Sequence, residues 1–154
     1  MTLSDSTRAK IERLVALYPE RRTALLPALK LAQADAGWLP REAIAEAADL
    51  VGVPHSAALE LVEFYTMLHI APGPPTRVVV CAQLPCALRG AEDLIRELQS
   101  VADGESVGVE RTSECFGACH RAPMARVGDT YHENLVGEAR QQFIASLTVA
   151  MARP

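Results

Sequence analysis

The residues best suited to chemistry in this sequence are four cysteines, all in its second half, at positions 81, 86, 115 and 119. Their spacing reads C-x4-C-x28-C-x3-C. Four thiolates offered from two loops make a complete ligand set for either a [2Fe–2S] cluster or a structural zinc ion, and spacing alone does not separate them. Loop chemistry leans toward the cluster. Zinc sites in small domains commonly use a tight C-x2-C knuckle, whereas three or four intervening residues leave a wider loop whose backbone N–H groups can approach bridging sulfides. Gly117, inside the second pair, is expected to let the backbone come close to the cofactor without a side chain in the way. Unligated or disulfide-bonded thiols are the third reading. The start of the chain, Met1-Thr2-Leu3-Ser4-Asp5-Ser6-Thr7, has no basic segment, apolar stretch or cleavage site of a secretory signal. A reducing cytosol is therefore expected, where structural disulfides are rare.

The elements around the cysteines follow from apolar periodicity. Thr76 to Cys81 is a β-branched run that reads as a buried strand, and Val107 to Arg111 alternates like a second, so each cysteine pair follows a strand. Gly90 to Gln99 is helical, with Leu94, Ile95 and Leu98 inward. Met124 to Val127 and Thr130 to His132 read as strands joined by a Gly128-Asp129 turn, and Glu138 to Met151 as a closing helix. The order strand, helix, strand, strand, strand, helix predicts a small α/β domain with helices packed on a sheet.

The first half has helical spacing in four segments. Ile11, Leu14, Val15 and Tyr18 share one face, ended by Pro19. A second helix starts near Thr23, tolerates Pro27 in its first turn, carries Leu25, Leu26, Leu29 and Ala36, and stops at Gly37. A third opens at Pro40 with Ile44, Ala47, Ala48 and Val51 inward and Gly52 as its stop. The fourth begins at Pro54 and carries Ala57, Leu61, Val62 and Tyr65. The stiff run Ala71-Pro72-Gly73-Pro74-Pro75 cannot continue a helix and marks a domain boundary.

Composition bounds the rest. A chain of 154 residues with 49% hydrophobic and 22% charged residues and a net charge of -4 suits one or two globular domains. No unbroken apolar run reaches the ~18 residues of a membrane span, so no direct membrane insertion is expected. No Lys/Arg block supplies the footprint for phosphate neutralisation, so nucleic acid is not an expected partner.

Several segments resemble one family. Cys81-Ala82-Gln83-Leu84-Pro85-Cys86-Ala87-Leu88-Arg89-Gly90-Ala91 and Glu114-Cys115-Phe116-Gly117-Ala118-Cys119-His120-Arg121-Ala122-Pro123 closely resemble the ligand loops of the thioredoxin-like [2Fe–2S] subunit of NADH:quinone oxidoreductase, the 24 kDa subunit family of respiratory complex I. Leu25-Leu26-Pro27, Gly37-Trp38-Leu39-Pro40 and Glu63-Phe64-Tyr65-Thr66-Met67 are similar to its helical N-terminal half, and Tyr131-His132-Glu133-Asn134-Leu135 to a segment near its C-terminus. Nearly the whole chain is covered. The 28 residues between the cysteine pairs are fewer than the family usually shows, as though a turn before the second strand were missing.

The resemblance implies an α/β protein with an N-terminal helical bundle, residues 1–74, for docking, followed by a thioredoxin-like [2Fe–2S] ferredoxin domain, residues 75–154. It implies that Cys81, Cys86, Cys115 and Cys119 bind one [2Fe–2S] cluster and that the chain is a non-catalytic redox subunit of an NADH dehydrogenase, without a complete active site of its own. FMN and NADH are expected on a partner flavoprotein subunit, since this chain has no G-x-G-x-x-G fingerprint. Further iron–sulfur subunits are expected in the same complex, in the cytoplasmic peripheral arm of a membrane-associated assembly. The equivalent subunit of a soluble NAD-dependent hydrogenase or formate dehydrogenase is the alternative within this class, and a structural zinc-binding interaction module is the alternative outside it.

Lesser candidates are weighed beside the cysteines. Arg89 and Arg121, near Cys86 and Cys119, are expected either to raise the cluster's potential or to be solvated contacts. His120 adjoins a ligand but four cysteines already complete the set; His55, His69 and His132 form no i, i+4 metal pair. Pro123 stands where thioredoxin-like folds often carry a cis proline, and its isomer is left open. Trp38 and the Phe64-Tyr65 pair are expected in the bundle core or at an interface.

Overall fold

The computed structural model describes residues 2–151, and the chain divides between Gly73 and Pro74 into two compact units. In the helical unit, α1 spans Asp5–Val15, and its N-cap Ser4 accepts a hydrogen bond from the Thr7 N–H. The helix ends at Val15, so Tyr18 lies in the following turn, where its N–H reaches the Val15 carbonyl and its ring packs half-buried on the core. A 3-10 turn, Arg21–Ala24, leads into α2, Leu25–Ala36; α3 spans Arg41–Val51 and α4 spans His55–Phe64. Both α2 and α3 stop on a left-handed glycine, Gly37 at φ 78° and Gly52 at φ 81°, the conformation in which a Cβ is most unfavourable. Pro40 and Pro54 occupy the extended cap position before their helices.

The helical core combines Ile11, Leu25, Leu29, Ile44 and Val51 with a run of buried alanines, among them Ala28, Ala32, Ala47 and Ala48. On α4 the buried alanine is Ala58, while Ala57 and Leu61 are only partly covered. Phe64 is 76% exposed and meets Tyr65 edge-on at 5.2 Å, so it lies outside the core. A polar tie closes one side of the unit: Glu46 of α3 accepts from the Leu3 N–H at 2.9 Å and pairs with Arg8 of α1.

In the second unit β1 is Thr76–Cys81, α5 Leu84–Leu88, α6 Ala91–Val101, β2 Val107–Thr112, β3 Ala125–Val127, β4 Thr130–His132 and α7 Gly137–Met151. The sheet order is β2-β1-β3-β4. β2 runs parallel to β1 with Val78 opposite Val109, β3 antiparallel to β1 with Val79 opposite Arg126, and β4 antiparallel to β3. A parallel pair needs a long crossover, which α5 and α6 supply. Alternation sends Val78 and Val80 into a core shared with Leu94, Ile95 and Leu98 of α6 and Phe143 and Leu147 of α7. On the opposite face Arg77 pairs with Glu110 at 2.5 Å. The α5 helix was not expected from the sequence. Its five residues carry Pro85 in the first turn, where a missing N–H leaves no helical hydrogen bond unmade.

Candidate metal centre

The parallel pairing of β1 and β2 brings both cysteine-bearing segments to the same end of the sheet. Cys81 is the last residue of β1 and Cys86 lies within α5; they are 1% and 3% exposed. Cys115 lies in the irregular stretch after β2 and Cys119 begins a second 3-10 turn, Cys119–Arg121; both are exposed. All four are free thiols. Their Sγ atoms group as two pairs: Cys115 and Cys119 lie 3.5 Å apart, and the Cys86 thiol is within hydrogen-bonding reach of the Cys81 thiol. The pairs also sense one another, because Cys119 lies within electrostatic reach of both Cys81 and Cys86. Among the described residues no three His, Cys, Asp or Glu side chains enclose a single ion point as they stand.

Hydrogen bonds tie the two segments together. The Ala82 N–H donates to the Thr112 carbonyl at 2.9 Å, continuing the β1–β2 ladder beyond Cys81, and the Gln83 side-chain amide donates to the Ser113 carbonyl. Thr112 is buried, and its hydroxyl accepts from the Glu114 N–H at 3.0 Å, turning the chain toward Cys115. Phe116 packs partly into the core and meets Tyr131 of β4 edge-on at 5.4 Å. Beyond Cys119, the Arg121 carbonyl accepts from the Asn134 N–H at 2.8 Å and the Pro123 carbonyl from Leu135 at 3.1 Å; the Ala122–Pro123 bond is cis. Neither Gln83 nor the Phe116–Tyr131 contact was singled out in the sequence. The only signal for Gln83 was an amide-bearing side chain between a strand end and a cysteine.

Electrostatics separates the two pairs. Burial, followed by the bond with Cys81, pushes the Cys86 thiol up to about 11. Cys115 is held below the usual thiol range, first by the Gly117 N–H at 3.3 Å and then by Cys119, while Cys119 is raised by Cys115. A soft multivalent cationic centre would relieve the cost of holding four neighbouring thiolates, and the donor set fits such a group: four sulfurs, two per segment. A Cβ built on Gly117 meets no protein atom within 4 Å, so its φ of +79°, rather than crowding by the protein, is what calls for glycine there.

The other candidates sit apart or are already engaged. Arg121 forms an ion pair with Glu133 at 2.5 Å, and its Nε donates to His120 at 3.3 Å. His55 pairs with Asp49 at 2.8 Å and His132 lies against the Phe143 ring at 4.6 Å. The His69 backbone N–H donates to Gln33. Two grooves, of about 520 and 490 Å³, are lined in the α/β unit by residues such as His132, Asn134 and Phe143 and in the helical unit by Leu26, Leu61 and Tyr65, with no cysteine in either.

Comparison with known proteins agrees with this geometry. The family model for thioredoxin-like [2Fe–2S] ferredoxins matches residues 11–148. An NADH-quinone oxidoreductase subunit of Rhizobium meliloti (strain 1021) is 38% identical over 135 residues, covering 83% of this chain and 80% of that protein. The corresponding NADH-quinone oxidoreductase subunit of Rickettsia bellii (strain RML369-C) is 36% identical over 146 residues, 88% of this chain and 87% of that protein. A crystal structure of an NAD+-reducing [NiFe]-hydrogenase in the air-oxidised state aligns with a TM-score of 0.63 at 19% identity. It covers 84% of this chain and 23% of the hydrogenase chain, a likeness of fold.

Proposed function

Since the chain belongs to the thioredoxin-like [2Fe–2S] ferredoxin family, we propose that it is the electron-transfer subunit of an NADH:quinone oxidoreductase, with Cys81, Cys86, Cys115 and Cys119 binding one [2Fe–2S] cluster beside a flavin-bearing partner. The observation that carries this reading is the convergence of two cysteine pairs at one end of the β1–β2 ladder. The bound cluster supplies one-electron redox chemistry. The chain's own residues do the rest. Soft thiolates hold ferric and ferrous iron in nearly the same geometry, and the Gln83–Ser113 and Ala82–Thr112 bonds hold the two ligand segments in register, so little reorganisation accompanies transfer. Burial of Cys81 and Cys86 keeps water from one side, while the exposed Cys115 and Cys119 leave the other side open to a partner.

NADH and FMN belong to that partner, a flavoprotein subunit, and further iron–sulfur subunits complete the assembly, in the cytoplasmic peripheral arm of a membrane-associated complex. Among the described residues no helix is long and apolar enough to cross a membrane. The helical unit serves as the docking domain: Phe64, 76% exposed, and Ile70, 62% exposed, offer apolar contacts. Deleting residues 1–70 should abolish co-purification with the flavoprotein, and retained co-purification would count against a docking role.

Anaerobic purification followed by iron and acid-labile sulfide analysis, with low-temperature EPR of the reduced protein, tests the cluster. Equal iron and sulfide with a spin-half signal is the expected result; a colourless chain with stoichiometric zinc would sink it in favour of a structural zinc module. Affinity purification from the source organism tests the host. Membrane subunits are expected, whereas a hydrogenase or formate dehydrogenase catalytic subunit would favour the soluble alternative, toward which the hydrogenase fold likeness points.

A further inference from the structure

The two cysteine-bearing segments are held in different ways. Cys81 and Cys86 belong to β1 and α5, with their side chains in the core of the α/β unit. Cys115 lies in an exposed irregular stretch, so its place depends on what ties that stretch down. Phe116 packs partly into the core, and the Arg121 carbonyl accepts from the Asn134 N–H at 2.8 Å. Those ties fasten the stretch to the core and to the connection after β4. The Gln83 side-chain amide, which donates to the Ser113 carbonyl, fastens it to the segment that carries the other cysteine pair.

That contact is a matter of residue type. Gln83 opens α5, where its carbonyl accepts from the Ala87 N–H at 2.9 Å, but its side chain makes no cap hydrogen bond to that helix. A short Ser, Thr, Asp or Asn at a helix start folds back on the first turn. The longer amide reaches instead across to Ser113, two residues before Cys115. The neighbouring tie, from the Ala82 N–H to the Thr112 carbonyl at 2.9 Å, is main chain and open to any residue but proline.

We propose that Gln83 is a positioning residue for the cluster: as a latch between the two ligand segments, its amide holds the exposed Cys115–Cys119 side against the buried Cys81–Cys86 side and sets how firmly the cluster is retained. The inference rests on the four-cysteine cluster reading above. Thiolates supplied two to a segment share one centre only while the segments keep their spacing. Groups that orient ligands without touching the metal commonly change its retention by about tenfold or more.

The test follows the bleaching of visible absorption after EDTA is added to the full chain carrying its oxidised cluster, at high salt so that surface charge is screened. Wild type is compared with Gln83→Met, Gln83→Glu and Gln83→Lys. Methionine and glutamate keep the reach but have no donor at neutral pH, whereas lysine keeps the reach and donates. The first two variants should lose the cluster roughly tenfold faster than wild type, and Gln83→Lys should stay near it. A Gln83→Met chain that holds its cluster as long as wild type overturns the proposal. So does a Gln83→Lys chain that loses it as fast as Gln83→Met, the pattern expected if Gln83 acts only through packing. Rates that follow charge, with Gln83→Glu fastest, Gln83→Lys slowest and Gln83→Met at the wild-type value, overturn it in favour of electrostatics. If the methionine and glutamate variants take up no cluster, uptake by Gln83→Lys supports the latch and uptake by none of the three overturns it. A wild-type chain lacking iron and sulfide removes the cluster reading itself, a result distinct from any difference among the variants.

Discussion

Both units bury large aliphatic side chains, but among the described residues buried alanines are more frequent in the core of the helical unit than in that of the α/β unit. Ala28, Ala32, Ala47, Ala48 and Ala58 let the helices approach closely, so the first unit gains stability from many short contacts and from surface ties such as Arg8 to Glu46. The second buries Val78, Val80, Leu94, Leu98 and Phe143 behind one face of a sheet and sets four thiols at the sheet's end. Where the first unit devotes its sequence to a shape, the second also sets thiols beside one another at its rim. Adjacent thiols there are favourable as thiolates only when a cation shares them.

The sharpest break in this comparison is Cys86→Ala. Removing one of the proposed ligands, a buried one, should abolish bound iron, sulfide and visible absorption, while far-UV circular dichroism keeps its helical signal. A parallel loss of helix would mean that the units do not divide the labour in this way. Next come Leu29→Ala and Leu94→Ala, each taken from a fully buried position in its own unit. Each should cost about 2–5 kcal/mol in denaturant unfolding, but only Leu94→Ala should speed iron release to a chelator. Equal release from both would erase the distinction. Ser4→Ala removes the cap of α1 and should lower stability by about 1 kcal/mol, read as a shift in the denaturation midpoint with cluster content unchanged.

Charge near the cluster gives smaller effects. Arg121 was expected either to raise the potential or to be a solvated contact; it is paired with Glu133 and its side chain is half exposed. Arg121→Gln should lower the midpoint by less than the ~59 mV of a tenfold change, and Glu133→Gln should raise it by unmasking the guanidinium. Shifts of the same sign in both variants would reject the pairing argument. Acid sensitivity sharpens the other half. Glu46 is held below the usual carboxylate range, chiefly by Arg8. Its contribution is therefore complete above the ordinary carboxylate pKa and lost as pH falls through the lower folded value. Glu46→Gln should flatten the acid limb of the stability profile, lowering stability most at neutral pH and least below the folded pKa of Glu46.

Much of both units was legible from local pattern. The inward faces Ile44, Ala47, Ala48 and Val51 of α3 and Leu94, Ile95 and Leu98 of α6 are buried as their spacing predicts, because a helix repeats its contacts within a few residues. Short and irregular pieces were less legible. α5 has too few residues to show a period and contains a proline, and Tyr18 keeps helical spacing past the point where α1 has ended. Gly117 was read as room for a cofactor; its φ of +79° adds a conformational demand that residue type alone does not reveal.

The sequence by itself determined the chemistry on offer: four thiols in two pairs, separated by a fixed length of chain, and a proline-rich break before them. These are properties of residue type and covalent spacing, and they survive any fold. Only the tertiary structure decided that Cys81 and Cys86 are buried while Cys115 and Cys119 face solvent, and that Glu133 neutralises Arg121. Burial and long-range pairing depend on strand order and register, here β1 between β2 and β3, and on segments far apart in sequence arriving at one place.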